Sequence, residues 1–139
     1  MIRSDDTYEY KTVFTQEDVN AFAELTGDKN PIHIDLEYAK TTEYGKEVVQ
    51  GMLIASAFSK VFGTMWPGTQ DTLYISQDMV FLAPVYVGDQ YTLKFVCLSV
   101  NEETSVGTIQ ATLNGDNDEI MVSLKARIKS VTMFSQPRM

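Results

Sequence analysis

The sequence predicts a single α+β domain, in which a curved antiparallel sheet of about five strands folds over one long helix. Two patterns predict this. Residues 48–62 are apolar on nearly all sides, as in a helix surrounded by protein, and are too few to cross a bilayer. After residue 72, alternating segments are separated by short polar turns, which is typical of an antiparallel meander. With 139 residues, 44% of them hydrophobic, we expect residues 1–139 to form one domain with its own core.

The amino-terminal part predicts a strand followed by a helix. Residues 7–14 alternate and are rich in Tyr, Val and Thr, which favours a strand with one wetter face. Thr15 and Asp18 approximate a capping box, so a helix is expected over residues 16–26. Gly27 suits the position just after the end of that helix.

A sharp bend follows, before the long helix. Asn30 precedes Pro31, which disfavours helical backbone at the residue before it, so the chain must turn here. Asp35 can cap a short helix that runs to about Thr41. We then expect the apolar helix at residues 48–62, ending at Gly63.

The remaining chain predicts four strands, at residues 72–82, 90–100, 105–114 and 119–131. In the second of them, alternate residues are apolar and should face the core: Tyr91, Leu93, Phe95 and Cys97. The end at Arg138-Met139 is expected to fray. An open sheet has edge strands that invite pairing across a two-fold axis, so we expect a homodimer joined through sheet edges.

Charge and composition narrow the function. The 19 acidic and 11 basic residues give a net charge of −8, which argues against a general nucleic-acid binder. The polar start of the chain has no apolar signal-peptide region, and no stretch is long enough to span a membrane. The lone Cys97 cannot form an internal disulfide. We therefore expect a cytoplasmic protein.

The strongest chemical signal is His33, the only histidine, placed five residues after Asp28 with Pro31 between them. Imidazole is the usual acid/base group near neutral pH, so His33 with Asp28 is the leading pair for proton transfer. A metal site built from these two residues and Asp35 matches no known ligand spacing, and we predict none.

Three segments resemble one known family. The segment Leu25-Thr26-Gly27-Asp28-Lys29-Asn30-Pro31-Ile32-His33 is similar to the signature of the MaoC-like (R)-specific enoyl-CoA hydratases, also called hydratase 2. Val49-Gln50-Gly51-Met52-Leu53-Ile54-Ala55-Ser56 resembles the family's second motif, and Pro84-Val85-Tyr86-Val87-Gly88-Asp89 resembles its third. The order and spacing also match. One departure is Gln50, where the family usually has histidine.

The resemblance implies a hot-dog fold, in which a long central helix is wrapped by a curved antiparallel sheet. It implies reversible hydration of a trans-2-enoyl thioester to a (3R)-3-hydroxyacyl thioester. Asp28 and His33 would be catalytic and would share one water. The substrate-binding residues would be Asn30, Gly51 and Ser59. We expect no cofactor, with coenzyme A or the phosphopantetheine of an acyl carrier protein serving as the substrate's carrier.

Physical chemistry adds reasons for two parts of this site. Gly51 lies at the start of the central helix, where unpaired N–H groups can stabilise a thioester oxyanion and a missing side chain allows close approach. Four residues of the helix are candidates for an acyl tunnel: Met52, Ala55, Phe58 and Phe62. A bulky Phe62 in the tunnel would favour short acyl groups.

Two other functions remain open. A hot-dog thioesterase would also use a carboxylate and water, although many of these lack the Asp-x-Asn-Pro-x-His loop. A non-catalytic acyl-binding or dimerising module would keep the fold without the chemistry, and Gln50 is the residue that leaves this possibility open.

Overall fold

The computed structural model describes residues 1–135, so the predicted frayed end at Arg138-Met139 lies outside the described residues. The strands are β1 (Thr7–Val13), β2 (Leu73–Phe81), β3 (Gln90–Asn101), β4 (Val106–Asn114) and β5 (Ile120–Lys129). The helices are α1 (Gln16–Thr26), α2 (Pro31–Ile34), α3 (Leu36–Ala39), α4 (Gly51–Thr64) and α5 (Val131–Phe134).

The five strands form one antiparallel sheet in the order β1-β3-β4-β5-β2. Strands β3, β4 and β5 are consecutive neighbours, which confirms the predicted meander. Strand β2 returns to the far edge and pairs only with β5, so β1 and β2 are the two edge strands. This arrangement confirms the predicted hot-dog architecture.

The capping signals of α1 are confirmed. The Thr15 side chain accepts a hydrogen bond from the Asp18 amide, and the Asp18 carboxylate accepts one from the Thr15 amide. Gly27 closes the helix in the left-handed region at φ 80°, a conformation that glycine adopts without a steric cost. The predicted cap on α3 is also present, because Asp35 accepts from the Tyr38 amide.

The long helix α4 begins three residues later than the apolar pattern predicts. Val48 forms an isolated bridge with Tyr86, and the Val49 amide donates to the Val85 carbonyl at 2.8 Å. These residues are therefore extended, and the helix starts only at Gly51. Apolar composition alone could not separate them from the helix, because a buried bridge and a buried helix are equally hydrophobic.

The core lies between α4 and the inner face of the sheet. Phe58 and Phe62 of α4 meet Phe95 of β3 with ring centroids 6.0 and 5.4 Å apart, both edge to face. The predicted inward face of β3 is buried, including Cys97. The opposite side of α4 is exposed, and Met52 retains 59% of its accessible surface. In the single chain, α4 is therefore covered on one side only.

A carboxylate clasp joins the loop after α4 to the turn after β5. Asp71 accepts hydrogen bonds from the hydroxyls of Thr69 at 2.6 Å and Ser130 at 2.9 Å, and from the Thr132 amide at 3.0 Å. These donors, with Thr69 first, hold the pKa of Asp71 well below its ordinary value. The clasp stabilises the folded state only while the carboxylate is charged.

We expect Asp71→Asn to lower the melting temperature at neutral pH. Because the pKa of Asp71 is lower in the folded chain than in the unfolded chain, the charged carboxylate stabilises the fold at pH values above the unfolded-state pKa of about 4. This stabilisation is lost as the pH falls from about 4 toward the folded-state pKa. The difference in melting temperature from the unmodified chain should therefore shrink below about pH 4. Circular dichroism melts across pH, with Asp116→Asn in an exposed turn as the control, test this. An unchanged difference at pH 7 and pH 3 would contradict it.

Within residues 1–135, no helix is both long enough and apolar enough to cross a membrane.

Candidate active site

A cavity of about 540 Å³ lies where the start of α4 meets α2 and the chain after β2. Its polar side chains belong to Asn30, His33 and Tyr44, and Gly51 contributes backbone. The rest of the wall is apolar: Ile32, Val48, Val49, Ile54, Phe81, Leu82, Ala83, Pro84 and Val85. Largely apolar walls with a few convergent polar groups are typical of small-molecule sites.

The bend that carries His33 closes into a one-turn helix, α2, where the sequence predicts only a turn. Pro31 occupies its first position, where the missing N–H costs nothing. The Asn30 side chain caps it by accepting from the Ile32 amide at 3.3 Å. Asn30 therefore forms the bend and also lines the cavity, so the two roles considered for it are compatible.

His33 is half-buried and its Nδ1 lies 2.6 Å from the Val48 carbonyl oxygen. A carbonyl can only accept, so Nδ1 must carry the proton in this contact. In the neutral ring, Nε2 is then left unprotonated and can act as a base. The Val48 amide in turn donates to the Ile32 carbonyl at 3.2 Å, which ties the imidazole's anchor to the helix that carries it.

The first turn of α4 supplies unpaired donors to the same cavity. The first amide that bonds back into the helix is that of Ile54, which donates to the Gln50 carbonyl at 3.1 Å. Among the described residues, the amides of Gly51, Met52 and Leu53 have no acceptor. The positive end of the helix dipole adds to their pull on a developing negative charge.

Gly51 is also a point of close approach. A Cβ built on it would lie 3.0 Å from the tip of the Phe81 ring, closer than nearly all real contacts. Phe81 itself lines the cavity. Glycine therefore lets the ring of Phe81 contact the start of α4, and the substrate-binding role of Gly51 stays a prediction.

Gln50, at the family's usual histidine position, is buried and bonds away from the cavity. Its Nε2 donates to the Val19 carbonyl of α1 at 3.0 Å. Gln16 makes a parallel brace, because its Nε2 donates to the His33 carbonyl at 3.1 Å. Gln50 thus ties the start of α4 to α1, a structural role that requires no titrating group.

Two predicted site residues do not line this cavity. Asp28 is exposed in the loop between α1 and α2, two residues before Asn30, and its amide donates to the Thr26 hydroxyl at 3.2 Å. Ser59 lies on the exposed side of α4, two turns beyond Gly51. The structure therefore brings together His33, Asn30 and Gly51, and the roles of Asp28 and Ser59 stay predictions.

Tyr44 is a cavity residue that the sequence analysis missed. It lies in the polar loop before Val48, where nothing in its spacing marked it. The neighbouring Glu43 carboxylate, first as a hydrogen-bond partner and then as a negative charge, raises the pKa of Tyr44. Its phenol stays protonated at neutral pH and can donate a hydrogen bond. The one sequence feature that could have predicted a role for Tyr44 is its aromatic hydroxyl, seven residues before Gly51.

The helix residues that line the cavity differ from those predicted for an acyl tunnel. Gly51 and Ile54 contribute to the wall, whereas Phe58 and Phe62 lie in the core against Phe95. The difference lies along the helix axis, because Ile54 and Phe58 share the buried face of α4 and only its first turn borders the space beside His33. Met52 is exposed, and Ala55 is absent from the wall.

Within residues 1–135, no group of three His, Cys, Asp or Glu side chains is placed to hold a metal ion. The cavity's own groups are one imidazole, one amide, one phenol and backbone N–H donors. This set suits proton transfer and binding of a carbonyl oxygen.

A curved antiparallel sheet wrapped over a central helix is a hot-dog fold, and here a histidine lies beside the start of that helix. The chain belongs to the family of MaoC-like domains, whose model matches residues 3–117. It is 34% identical over 116 residues to an (R)-specific enoyl-CoA hydratase of Aeromonas caviae, covering 84% of this chain and 86% of that one.

Two further comparisons agree with the family. The solved structure of an (R)-hydratase from A. caviae superposes with a TM-score of 0.87 at 30% identity, covering 92% of this chain and 96% of the other. A mitochondrial 3-hydroxyacyl-[acyl-carrier-protein] dehydratase of Arabidopsis thaliana is 36% identical over 90 residues, 65% of this chain. The match spans about half, 52%, of that plant protein.

Proposed function

We propose that this protein is a lyase that catalyses the reversible syn hydration of trans-2-enoyl thioesters to (3R)-3-hydroxyacyl thioesters. The observation that carries the proposal is the cavity in which His33, with Nδ1 bound to Val48, faces the same space as the unpaired first turn of α4. Family membership supports the reaction class, because the relatives compared above are named as a hydratase and a dehydratase.

The reaction needs three events. A water must lose a proton as its oxygen forms a bond to C3, C2 must gain a proton, and negative charge on the thioester oxygen must be stabilised. Nε2 of His33 is free to handle a proton, and Asp28 is the second group proposed to hold the same water. The amides at Gly51 and Met52 are the proposed donors to the thioester oxygen. Both protons move on one face of the double bond, which gives syn addition.

A direct test is the absorbance of crotonyl-CoA near the enoyl band, read in parallel with a free-thiol assay. We expect the absorbance to fall without release of thiol. Free thiol would identify a thioesterase instead, and no change in either signal would identify an acyl-binding module. An absorbance loss that His33→Ala retains at the native rate would mean that the assigned site is wrong.

Acyl length should affect this assay. Because Phe58 and Phe62 already fill the core beyond Ile54, we expect the rate to fall from four-carbon to eight-carbon and longer enoyl-CoA substrates. The decisive measurement is kcat/KM across that series. A flat profile would show that the cavity opens to a longer channel.

Tyr44 is proposed as a substrate contact. We expect Tyr44→Phe to lower kcat/KM about 2- to 10-fold, since one hydrogen bond contributes roughly 0.5–1.5 kcal/mol. The melting temperature should change little, because the hydrogen bond that affects the Tyr44 phenol comes from Glu43, the adjacent residue. Tyr38→Phe, which lies outside the cavity wall, is the matched control. Equal effects in both variants would contradict the assignment.

We propose that the protein forms a homodimer through the β2 edge. That edge is unpaired and carries exposed apolar side chains: Leu73, Ile75, Val80, Phe81 and Leu82. The other edge, β1, exposes mainly polar groups. Size-exclusion chromatography with light scattering should report a dimer that Ile75→Lys with Val80→Lys dissociates. Val13→Lys on β1 is the control, and a monomer in the unmodified chain would end the proposal.

We also propose a cytoplasmic location. The support is the single cysteine, Cys97, which is buried and has no partner with which to form a disulfide within the chain. Fractionation of the producing cells tests the proposal, and recovery from an extracytoplasmic fraction would contradict it.

A further inference from the structure

Gln50 occupies the N-cap of α4, the position just before the first helical residue, Gly51. A short polar side chain at an N-cap usually accepts a hydrogen bond from the second or third amide of the helix, here that of Met52 or Leu53. Gln50 forms no such bond, and its Nε2 donates instead to the Val19 carbonyl of α1 at 3.0 Å. The side chain at the cap position is therefore held away from its own helix.

Unpaired polar groups of both kinds lie within residues 50–53. Gln50 is 1% exposed, and among the described residues its Oε1 has no hydrogen-bond partner. The amides of Gly51, Met52 and Leu53 also lack an acceptor in the described part of the chain. A buried acceptor without a partner lowers the stability of a fold. An ordinary capping residue at position 50 would pair one of these amides and recover part of that stability.

The bond to Val19 fixes the backbone between the two halves of the candidate active site. Val19 is fully buried on α1, so its carbonyl is a rigid anchor. Two residues before Gln50, the Val48 carbonyl holds Nδ1 of His33 at 2.6 Å. One residue after Gln50, Gly51 lines the same cavity. One side-chain contact thus places the anchor of the imidazole and the amide donors of the helix relative to each other.

We propose that Gln50 is a positioning residue that keeps the first amides of α4 open to the thioester oxygen. The inference rests on the proposed function, in which the amides of Gly51 and Met52 stabilise the oxyanion. A capping side chain would occupy a donor in the ground state and would have to be displaced as negative charge develops. The bond from Gln50 to Val19 prevents that competition, and it leaves Oε1 without a partner among residues 1–135.

The test compares two variants that differ by one hydroxyl. Gln50→Ser and Gln50→Ala both lose the bond to Val19 and leave the same space, but only serine can cap α4. We expect Gln50→Ser to have the higher melting temperature and yet to turn over crotonyl-CoA roughly 10- to 100-fold more slowly, because it blocks an oxyanion donor. The KM values of the two variants should agree within about 3-fold, since the donors act mainly on the transition state.

A second readout does not depend on turnover. Acetoacetyl-CoA ionises to an enolate that absorbs in the near ultraviolet, and donors at the thioester oxygen favour the enolate over the neutral form. At one pH, bound acetoacetyl-CoA should show less enolate absorbance with Gln50→Ser than with Gln50→Ala. A role of Gln50 in stability alone predicts equal absorbance or the reverse order, since the serine variant is the more stable of the two.

Two further pairs of variants serve as controls. Gln50→Thr and Gln50→Val have the same shape and larger side chains, so they repeat the comparison if the first pair folds poorly. Asp35→Ser and Asp35→Ala place the first pair's side chains at the N-cap of α3. The Asp35 variants should differ in melting temperature, but their kcat values should lie within about 2-fold of each other.

Three outcomes overturn the inference while leaving the proposed function intact. They are equal kcat values for Gln50→Ser and Gln50→Ala, a slower Gln50→Ala, or an Asp35 pair that separates in kcat as widely as the Gln50 pair. Failure of the proposed function looks different, because the unmodified chain would then not hydrate crotonyl-CoA. The enolate comparison would still test the role of Gln50 in that case.

Discussion

Replacing His33 with glutamine is expected to lower the turnover of crotonyl-CoA by about 10²–10⁴-fold, the usual contribution of a general acid/base. Glutamine can still donate to the Val48 carbonyl but cannot carry a proton back and forth, so the loss isolates proton transfer from anchoring. The fold should be preserved, since His33 lies on a one-turn helix at the edge of the core.

Stopped-flow and steady-state absorbance measure the rate, and circular dichroism checks the fold. Gln16→Ala is the useful comparison, because it removes the brace on the His33 carbonyl without touching the imidazole. It should cost far less in turnover than His33→Gln. Comparable losses in Gln16→Ala and His33→Gln would mean that His33 supports the local structure and does not transfer a proton.

The second large effect is expected at Asp28. Asp28→Asn keeps the size of the side chain and removes its charge and basicity, and we expect a loss of about 10²–10⁴-fold in kcat with little change in melting temperature. Asp28 is exposed, and its amide contact to Thr26 does not depend on the carboxylate. Asp28→Asn should therefore leave the free energy of unfolding nearly unchanged.

The double variant Asp28→Asn/His33→Gln distinguishes a shared water from two independent roles. Groups that act as a unit are strongly non-additive, so the double variant should be about as slow as the slower single variant. Losses that multiply would separate the two residues, and a near-native rate in Asp28→Asn would remove Asp28 from the mechanism. Asp35→Asn, in the cap of α3, is the matched control.

Much of the architecture followed from local signals that are strong in this chain. The capping box at Thr15 and the glycine at position 27 bound α1 correctly, and alternation in β3 identified its buried face. Such signals act within a few residues, so they can be interpreted without knowing the rest of the fold.

The features that the sequence did not predict depend on contacts between residues far apart in the chain. The start of α4 is set by the bridge from Val48 to Tyr86, and Tyr44 reaches the cavity because the loop before Val48 folds onto α2. Which turn of α4 borders the cavity likewise depends on distant contacts, because Phe58 and Phe62 are packed against Phe95 of β3. His33, Asn30 and Gly51 were found in advance because a motif fixes their types and spacing.

The bond between His33 and Val48 has a consequence for the whole reaction cycle. Because the acceptor is a peptide oxygen with no proton to give, this contact survives whether the imidazole is neutral or cationic. The ring has no reason to rotate between steps, and a proton enters and leaves through one nitrogen only. Each turnover then ends with the ring oriented as it began, so hydration and dehydration can follow one another without any resetting motion.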